Sequence, residues 1–364
     1  MSSRRPPRAA SRPTAGRRRT GLSAAASLLA LLSFACSDAR VLDLGAATIT
    51  AGQSGESGAG AGGTAGAGDG GVAGSDLAGS GGVAGARRGP LRFANPKAVT
   101  DLLPSGDIPS DLKQDNPTLT AGLDEIYFTS NRPGGVGGAD VWVAQRDPQN
   151  PSGFLAPQLV PGVNTDEDES SPAISLDGTK LWIARDLDDN KLDIWEWTRG
   201  SSPLDWRNAR NVATLNSSAD DIPRPPGFGG LIMPLGSRRN AEGKYWTYFA
   251  KRSSIGEEFG TPELLPFLNT VDEGDTVDGF LTEDGLRLFF NAERREGQGD
   301  LVVAYRDSVD EDFLNTATEA LNDINTDEDE RDPWVSPDGK VLFYTSNVGG
   351  TLTIWRADIL EPDN

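Results

Sequence analysis

Residues 331–359 read RDPWVSPDGKVLFYTSNVGGTLTIWRADI, and this stretch contains the pattern that decides the fold. A short strand beginning at Pro333 is followed by the turn 337–339, a continuous apolar run at 341–344, a Gly-Gly loop and a third strand containing Trp355. Glycine after aspartate supplies the positive φ of a tight hairpin turn. A continuous apolar run is typical of a strand that is buried on both faces. The stretch therefore predicts three consecutive antiparallel strands.

The same plan occurs four more times along the chain. Each copy has a short first strand, a turn, a second strand, a polar or Gly-rich loop and a third strand with aromatic residues, and the starts are 51 to 56 residues apart. The other copies span 115–147, 170–200, 221–252 and 275–307, the third being the most divergent. A fixed period of this length is typical of architectures in which each unit packs against its neighbours.

A fourth strand follows each of the first four copies but not the fifth. These strands begin at Phe154, Trp206, Phe259 and Phe313. A matching segment, FANPKAV at 93–99, precedes the first copy instead. We therefore predict an all-β fold, a single β-propeller of five four-stranded blades, in which 93–99 pairs beside the strand around 351–356 and closes the ring. A six-bladed ring is the alternative.

The first 90 residues have a different composition. Residues 1–35 contain seven arginines and no acid, and end in an apolar stretch too short to span a bilayer as a stable helix, which is typical of a secretory signal peptide. Between positions 45 and 89 lie 17 glycines and no aromatic residue, which predicts a disordered tether. The predicted organisation is a signal peptide at 1–35, a tether at 36–90 and the propeller at 91–364.

The single cysteine of the chain, Cys36, directly follows the apolar stretch. One leftover cysteine in a secreted protein cannot form an internal disulfide. The segment LSFAC at 32–36 resembles a bacterial lipobox, which implies that Cys36 is lipidated and that Ser37 favours sorting to the outer membrane. We therefore expect a cell-envelope protein that is held at the membrane by its lipid anchor only. A chance cysteine after an ordinary signal peptide is the alternative.

Charge and composition exclude several classes of function. The chain has 34 basic and 54 acidic residues, and removal of the seven arginines of 1–35 leaves 27 against 54, a net charge of −27. Such a surface repels nucleic acid and favours cations or basic partners. The absence of histidine removes Ser-His-Asp and Cys-His catalysis and nearly all zinc sites. We expect no nucleic-acid binding and no cofactor, with Ca²⁺ as the one candidate ion.

The most regular polar feature is an acidic loop before each innermost strand, at 164–169, 216–221, 269–275 and 325–330. In a propeller such loops open onto one face beside the central channel, so we predict that their carboxylates surround one mouth. One interpretation is a site for a hard cation or a basic partner, and the other is a set of solvated turn residues. The candidate residues are Asp166, Glu167, Asp168, Asp221, Asp272, Glu273, Asp275, Asp327, Glu328 and Asp329.

Arginines in the loops between second and third strands are predicted to project from the same face and to pair with these acids. They are Arg132, Arg185, Arg238, Arg239, Arg294 and Arg295.

The SPDGK turn, with Pro-Trp before it and an aromatic-Thr-Ser strand end after it, resembles the TolB-like β-propeller repeats, which are WD-like repeats with Pro-Asp in place of Trp-Asp. The fifth copy matches most closely, and the resemblance covers residues 92–359. It implies the propeller fold and a role in protein contacts of the cell envelope.

Two functions remain open from the sequence. The first is a monomeric, non-catalytic propeller that binds an envelope protein or a peptidoglycan component through its acidic face. The alternative is a carboxylate-based glycoside hydrolase or a carbohydrate-binding propeller. Asp278 is the candidate acid for the alternative, because it stands inside an innermost strand and breaks the repeat.

Overall fold

The computed structural model describes residues 90–187, 191–202, 204–265, 268, 275–295, 298–314 and 318–360. Its strands form five antiparallel sheets arranged as a five-bladed β-propeller, so the predicted fold and blade number are confirmed. In the described part of the chain, a single 3-10 turn, Thr100–Leu102, is the only helical element. No helix there is long and apolar enough to cross a bilayer. Cys36 and the predicted signal peptide and tether, up to residue 89, lie outside the described residues.

The strands of each blade follow one another from the central axis outward. Blade 1 contains β2 (Gln114–Leu119), β3 (Glu125–Ser130), β4 (Asp140–Asp147), β5 (Asn150–Phe154) and β6 (Gln158–Leu159). Blade 2 contains β7 (Glu169–Ile174), β8 (Lys180–Leu187), β9 (Lys191–Arg199) and β10 (Trp206–Asn211). Blade 3 contains β11 (Asp221–Pro223), β12 (Ile232–Ser237), β13 (Trp246–Lys251) and β14 (Glu263–Leu264). Blade 4 contains β15 (Thr276–Leu281), β16 (Arg287–Arg295), β17 (Gln298–Tyr305) and β18 (Thr318–Ala320). Blade 5 contains β19 (Glu330–Val335), β20 (Val341–Ser346), β21 (Thr353–Leu360) and β1 (Arg92–Ala98).

The N-terminal strand closes the ring, as predicted. β1 pairs antiparallel with β21, from Arg92 opposite Leu360 to Ala98 opposite Trp355. Phe93 is buried and stands opposite Ile359. The last blade therefore takes its outermost strand from the other end of the domain.

The antiparallel order gives the ring two distinct faces. The acidic loops lie where the innermost strands begin, and we call this end the acidic face. The tight turns after the innermost strands lie at the other end, which we call the hairpin face. The predicted glycines of these turns have positive φ, 69° at Gly178, 71° at Gly285 and 69° at Gly339.

The apolar core lies between neighbouring blades, and each of the five interfaces contains an aromatic pair. The ring centroids of the pairs are 5.9 to 6.4 Å apart. In order around the ring, the pairs are Tyr127–Trp206, Trp182–Phe259, Phe249–Phe313, Phe280–Trp334 and Phe343–Phe154. The last pair joins blade 5 to blade 1, so no interface of the ring lacks an aromatic pair.

An arginine at the end of the third strand stabilises blades 1 to 4. In blade 4, Arg306 lies 4.6 Å from the ring centroid of Phe313, and its Nε donates to the carbonyl of Gly285 at 2.7 Å. Each such stack is worth about 0.5–2 kcal/mol. Blade 5 has Ile359 at this position, opposite Phe93. The equivalent stacks are Arg146 on Phe154, Arg199 on Trp206 and Arg252 on Phe259.

Two strands are shorter than the repeats predict, and proline explains both. The fourth strand of blade 1 is divided into β5 and β6 because Pro157 lies between them and has no N–H to donate. The innermost strand of blade 3 ends at Pro223, and Pro225 and Pro226 follow within three residues.

Candidate functional site

In the three acidic loops whose first asparagine the structure describes, this asparagine fixes the loop to the blade before it. Asn164 accepts the amide of Val141 at 2.7 Å through Oδ1, and donates from Nδ2 to the carbonyl of the same residue at 2.9 Å. The side-chain amide thus makes the two backbone hydrogen bonds that a residue of a neighbouring strand would otherwise make. The equivalent pairs are Asn216 with Ile194 and Asn325 with Leu301.

In the loops 164–169, 216–221 and 325–330 the last acid is a buried anchor, and in blade 4 Thr276 stands at this position. Glu169 accepts the amide of Thr165 at 2.7 Å and Nε of Arg185 at 3.1 Å. Asp221, one of the predicted site residues, is buried in the same position and pairs with Nη2 of Arg239 at 2.5 Å. Asp221 therefore has a structural role, and its buried side chain does not face a partner.

The acid before this anchor also has a structural contact. Asp168 accepts the amide of Ala139 at 2.8 Å, Asp329 that of Gly299 at 3.0 Å, and Asp275 that of Tyr245 at 3.1 Å. Burial raises the pKa of Asp275. All three side chains are half-buried, and each ties its loop to the preceding blade.

The Gly-rich loop of blade 1 packs tightly against the acidic loop 164–169. A Cβ on Gly137 would lie 1.8 Å from the carbonyl oxygen of Glu167, and one on Gly138 would lie 2.5 Å from Oδ1 of Asp168. Only glycine allows this approach, so the backbone of loop 164–169 is held from two sides.

Four of the ten predicted acids are exposed: Asp166, Glu167, Asp327 and Glu328. We call these four the acidic rim. The amides of Glu167 and Glu328 donate to the hydroxyls of Thr165 and Thr326, at 3.4 and 3.0 Å. The rim carboxylates thus extend from loops whose backbone is fixed.

Asp272 and Glu273 lie outside the described residues. Among the residues that are described, no three acids converge in a way that could hold a metal ion. A Ca²⁺ site therefore stays a prediction.

The arginines of the acidic face fall into two groups. Arg185 and Arg239 pair with the anchors, and Arg238 lies 3.5 Å from Asp220, so the predicted pairing is confirmed for these three. Arg132 differs, because its Nη2 donates to the carbonyl of Leu102 at 2.6 Å and its guanidinium lies about 5 Å from the rings of Phe128 and Trp142. Burial lowers the pKa of Arg132 to about 10. The side chains of Arg294 and Arg295 are not among those that the structure describes.

A second polar cluster lies on the central axis. The third residue of the innermost strand has a left-handed backbone in four blades, with φ of 54° at Asn116, 50° at Ser171, 62° at Asp278 and 55° at Asp332. Each of these strands has a register shift, a bulge, at this point. Bulges redirect side chains from their usual alternation. Left-handed backbone is uncommon outside glycine and costs free energy.

Arg224 of blade 3 joins three of these blades. Its Nη1 lies 2.6 Å from Oδ1 of Asn116, 3.4 Å from Oδ1 of Asp332 and 3.5 Å from Oδ1 of Asp278. The amide of Asn116 also donates to Oδ2 of Asp332 at 3.1 Å. Since these residues come from blades 1, 3, 4 and 5, they meet only at the axis. We call Asn116, Arg224, Asp278 and Asp332 the axial cluster.

The axial cluster is almost closed to solvent. The side chains of Arg224 and Asp332 are 3% exposed, and that of Asp278 is 11% exposed. Burial, with the charge of Asp332 as second cause, raises the pKa of Asp278 to about 8, although Arg224 opposes the shift. Burial therefore favours the protonated form of Asp278. Burial and the charge of Asp332 also raise the pKa of the neighbouring Asp115.

No family model matches the chain. No curated protein matches it either. Solved structures resemble it at low identity. The TolB structure from Acinetobacter baumannii is 15% identical over 70% of this chain and 56% of that one, with a TM-score of 0.44. An endo-arabinase from Bacteroides thetaiotaomicron is 13% identical over 72% and 98%, with a TM-score of 0.51. A family 117 glycoside hydrolase from Zobellia galactanivorans is 14% identical over 75% and 93%, with a TM-score of 0.47.

At a TM-score of 0.51, the chain shares its overall fold with the Bacteroides endo-arabinase. It spans little more than half the length of the Acinetobacter TolB chain. At such identities the likeness establishes the fold alone. Binding and catalysis are therefore argued from the residues of this chain.

Sequence reasoning found Asp278 but missed the rest of the axial cluster. Asn116 and Asp332 occupy the same repeat position as Asp278, three residues into the innermost strand, so an alignment of the copies by their bulges would have found them. Arg224 gives no such signal, because it lies in the divergent third copy, one residue after Pro223.

We expect Asp278→Asn to stabilise the domain more at alkaline than at acidic pH. An unfolded aspartate loses its proton near pH 4, whereas folded Asp278 keeps it until about pH 8. Unfolding therefore releases a proton between these values, and the contribution of Asp278 to stability declines as pH rises from about 4 to about 8. Asparagine removes the proton linkage. The difference in Tm between variant and wild type should be larger at about pH 8.5 than at about pH 5. The exposed acid Asp310 provides the control Asp310→Asn, and a pH-independent difference for Asp278→Asn would contradict the shifted pKa.

Proposed function

We propose that the domain is a non-catalytic binding module whose acidic rim engages a basic partner, either an envelope protein or an amine-bearing cell-wall component. The observation that carries the proposal is that neighbouring residues of the acidic loops have different roles, some structural and some exposed. Asn164, Asp168 and Glu169 each hold the backbone, whereas Asp166 and Glu167 between them are exposed. The loop at 325–330 has the same six residues in the same order.

Fixed loops favour binding because little conformational entropy is lost when a partner docks. The rim carboxylates keep their backbone positions before and after contact. The net charge of −27 expected for the chain after removal of 1–35 adds long-range attraction for a basic partner and accelerates encounter at low salt. Affinity should therefore fall steeply as salt increases.

Neutralising the rim tests this proposal. In the variant that combines Asp166→Asn, Glu167→Gln, Asp327→Asn and Glu328→Gln we expect at least about fourfold weaker binding, since four exposed ion pairs at about 0.2–1 kcal/mol each sum to at least about 0.8 kcal/mol. Binding is measured by co-sedimentation with purified peptidoglycan sacculi, and by quantitative capture of proteins from envelope extracts.

A matched control removes the same charge from the hairpin face. Asp307, Asp310, Glu311 and Asp312 are exposed in the loop after β17. Neutralising these four residues leaves the rim intact and should preserve binding. Equal losses in both variants would show that net charge alone matters, and no loss in either would refute the rim as a binding site.

We further propose that a lipid on Cys36 anchors the domain to the outer membrane. The proposal rests on the lipobox-like segment 32–36 and on the single cysteine. We expect wild-type protein to sediment with membranes and Cys36→Ser to fractionate as a soluble protein. Signal-peptide cleavage is followed by mass in both, because a variant that is not cleaved would remain membrane-bound for another reason. Identical partitioning of cleaved wild type and variant would exclude the lipid anchor.

A glycoside hydrolase is the second candidate, and the pair Asp278 and Asp332 is the observation that favours it. Acid–base catalysis by carboxylates uses two groups whose protonation states differ. Here, however, Arg224 contacts both carboxylates and all three side chains are almost fully buried. Hydrolysis of aryl arabinosides or glucosides by wild type, lost in Asp278→Asn, would support the enzyme over the binding module.

A further inference from the structure

A blind cavity opens on the hairpin face, at the end of the axis opposite the acidic rim. Its wall residues follow the axial cluster directly along the innermost strands. Pro225 and Pro226 come after Arg224, Phe280 and Leu281 after Asp278, and Val335 after Asp332. The cavity is therefore built by the segments that follow the axial cluster, on the side of the hairpin face.

The wall of the cavity combines an apolar part with a polar part of similar extent. Phe280 and Val335 are 6% and 4% exposed, and Leu176 contributes from the turn of blade 2. The two wall hydroxyls already have partners, because Ser336 donates to Asp338 at 2.6 Å and Thr282 donates to Asp284 at 2.6 Å. The apolar wall residues can therefore contact a ligand, whereas both wall hydroxyls already donate hydrogen bonds within the protein.

The volume of the cavity is about 190 Å³. A cavity of about 150 Å³ is large enough to hold benzene. The space therefore fits one branched or aromatic side chain, or a small molecule of that size.

The mouth carries excess negative charge. Glu283, Asp284 and Asp338 line it, with Arg287 as the one cation among the lining residues described. Asp284 and Asp338 are held in place by their turns, where each accepts a backbone amide at 3.0 and 3.2 Å. Burial raises the pKa of Glu283 against the hydrogen bond from the Gly229 amide, and the charge of Asp284 adds to the rise, so a positive charge placed there would relieve repulsion.

We infer that this cavity binds a small organic cation with an apolar body, such as an aliphatic amine or the N-terminal residue of a peptide. The apolar body occupies the space between Pro226, Phe280 and Val335, and the ammonium faces Glu283 and Asp338 at the mouth. The inference is independent of the acidic rim, which lies on the other face.

Titration with leucinamide tests the inference. Isothermal titration calorimetry and saturation-transfer NMR on the domain should detect leucinamide, but not N-acetylleucinamide, which lacks the charge, or glycinamide, which lacks the apolar body. Glu283→Gln should weaken binding up to about fivefold, the value of one exposed ion pair. Leu176→Trp, which fills the cavity, should abolish binding. Unchanged Tm values establish that both variants are folded, and Asp310→Asn is the control for lost charge on the same face.

The peptide Leu-Ala-Ala-amide distinguishes the two sources of the ligand. Tighter binding of the peptide than of leucinamide identifies a peptide N-terminus, whereas binding of leucinamide alone identifies a free amine. No binding of either, equal binding of the N-acetylated compound, or unchanged binding in Leu176→Trp would overturn the inference.

Discussion

Deletion of residues 91–104 is expected to unfold the propeller as a whole. The deletion removes β1 and the 3-10 turn, and with them the buried side chains of Leu91, Phe93, Val99 and Leu102. At about 1.5–3 kcal/mol for each large apolar side chain, the loss is about 6–12 kcal/mol, which is comparable with the total stability of a typical domain, about 5–15 kcal/mol. It also removes the carbonyl of Leu102, which accepts hydrogen bonds from Gln114 at 3.1 Å and Arg132 at 2.6 Å.

The result is measured by thermal and urea denaturation, followed by tryptophan fluorescence. The control is deletion of residues 45–85 from the predicted tether, which should leave Tm and the urea midpoint unchanged. A 91–104 deletion that still melts cooperatively at the wild-type temperature would contradict the closure of the ring by β1.

Substitution of the axial arginine, Arg224→Met, is expected to be the most destabilising single change. It removes the arginine that contacts both Asp332 and Asp278, and leaves Asp332 with Arg331 at 3.9 Å. Breaking a buried ion pair in this way costs up to about 3–5 kcal/mol. For a domain of this size that corresponds to a fall in Tm of roughly 10 °C. The surface pair of Arg238 and Asp220 provides a matched control, because Arg238→Met breaks a 3.5 Å contact between partly exposed side chains and should cost less than about 1 kcal/mol.

A double variant separates charge from packing. In Arg224→Met with Asp332→Asn the carboxylate that lost Arg224 is replaced by a neutral amide, so the double variant should be more stable than Arg224→Met alone. If instead the two losses add, Arg224 stabilises the axis by its volume and not by its charge.

The sequence predicts the five blades because repetition is visible without any contact being known. The closure of the ring is equally accessible, since the segment at 93–99 completes a pattern that the fifth copy lacks. The roles of individual acids, in contrast, cannot be predicted from the repeats. Asp166 and Asp168 are the same residue type two positions apart, yet one is exposed and the other accepts the amide of Ala139.

The axial cluster shows a second limit of sequence reasoning. Arg224 is 108 residues from both Asn116 and Asp332, and its contacts exist only because the ring brings four blades to one axis. No local periodicity marks such a meeting point. A single acid inside an apolar strand, as at Asp278, is the kind of local conflict that indicates a polar cluster elsewhere in the fold.

The missing arginine of blade 5 has a mechanical consequence. Blades 1 to 4 each hold their outermost segment with an arginine stacked on an aromatic ring, whereas Phe93 faces Ile359. Residue 92, where β1 begins, is also the point at which the preceding chain joins the domain. Tension on that chain is therefore borne by the pairing of β1 with β21, which lacks the stack, and by the ion pair of Arg92 with Asp323. Under load the ring should open at this seam, with β1 peeling away before any other strand.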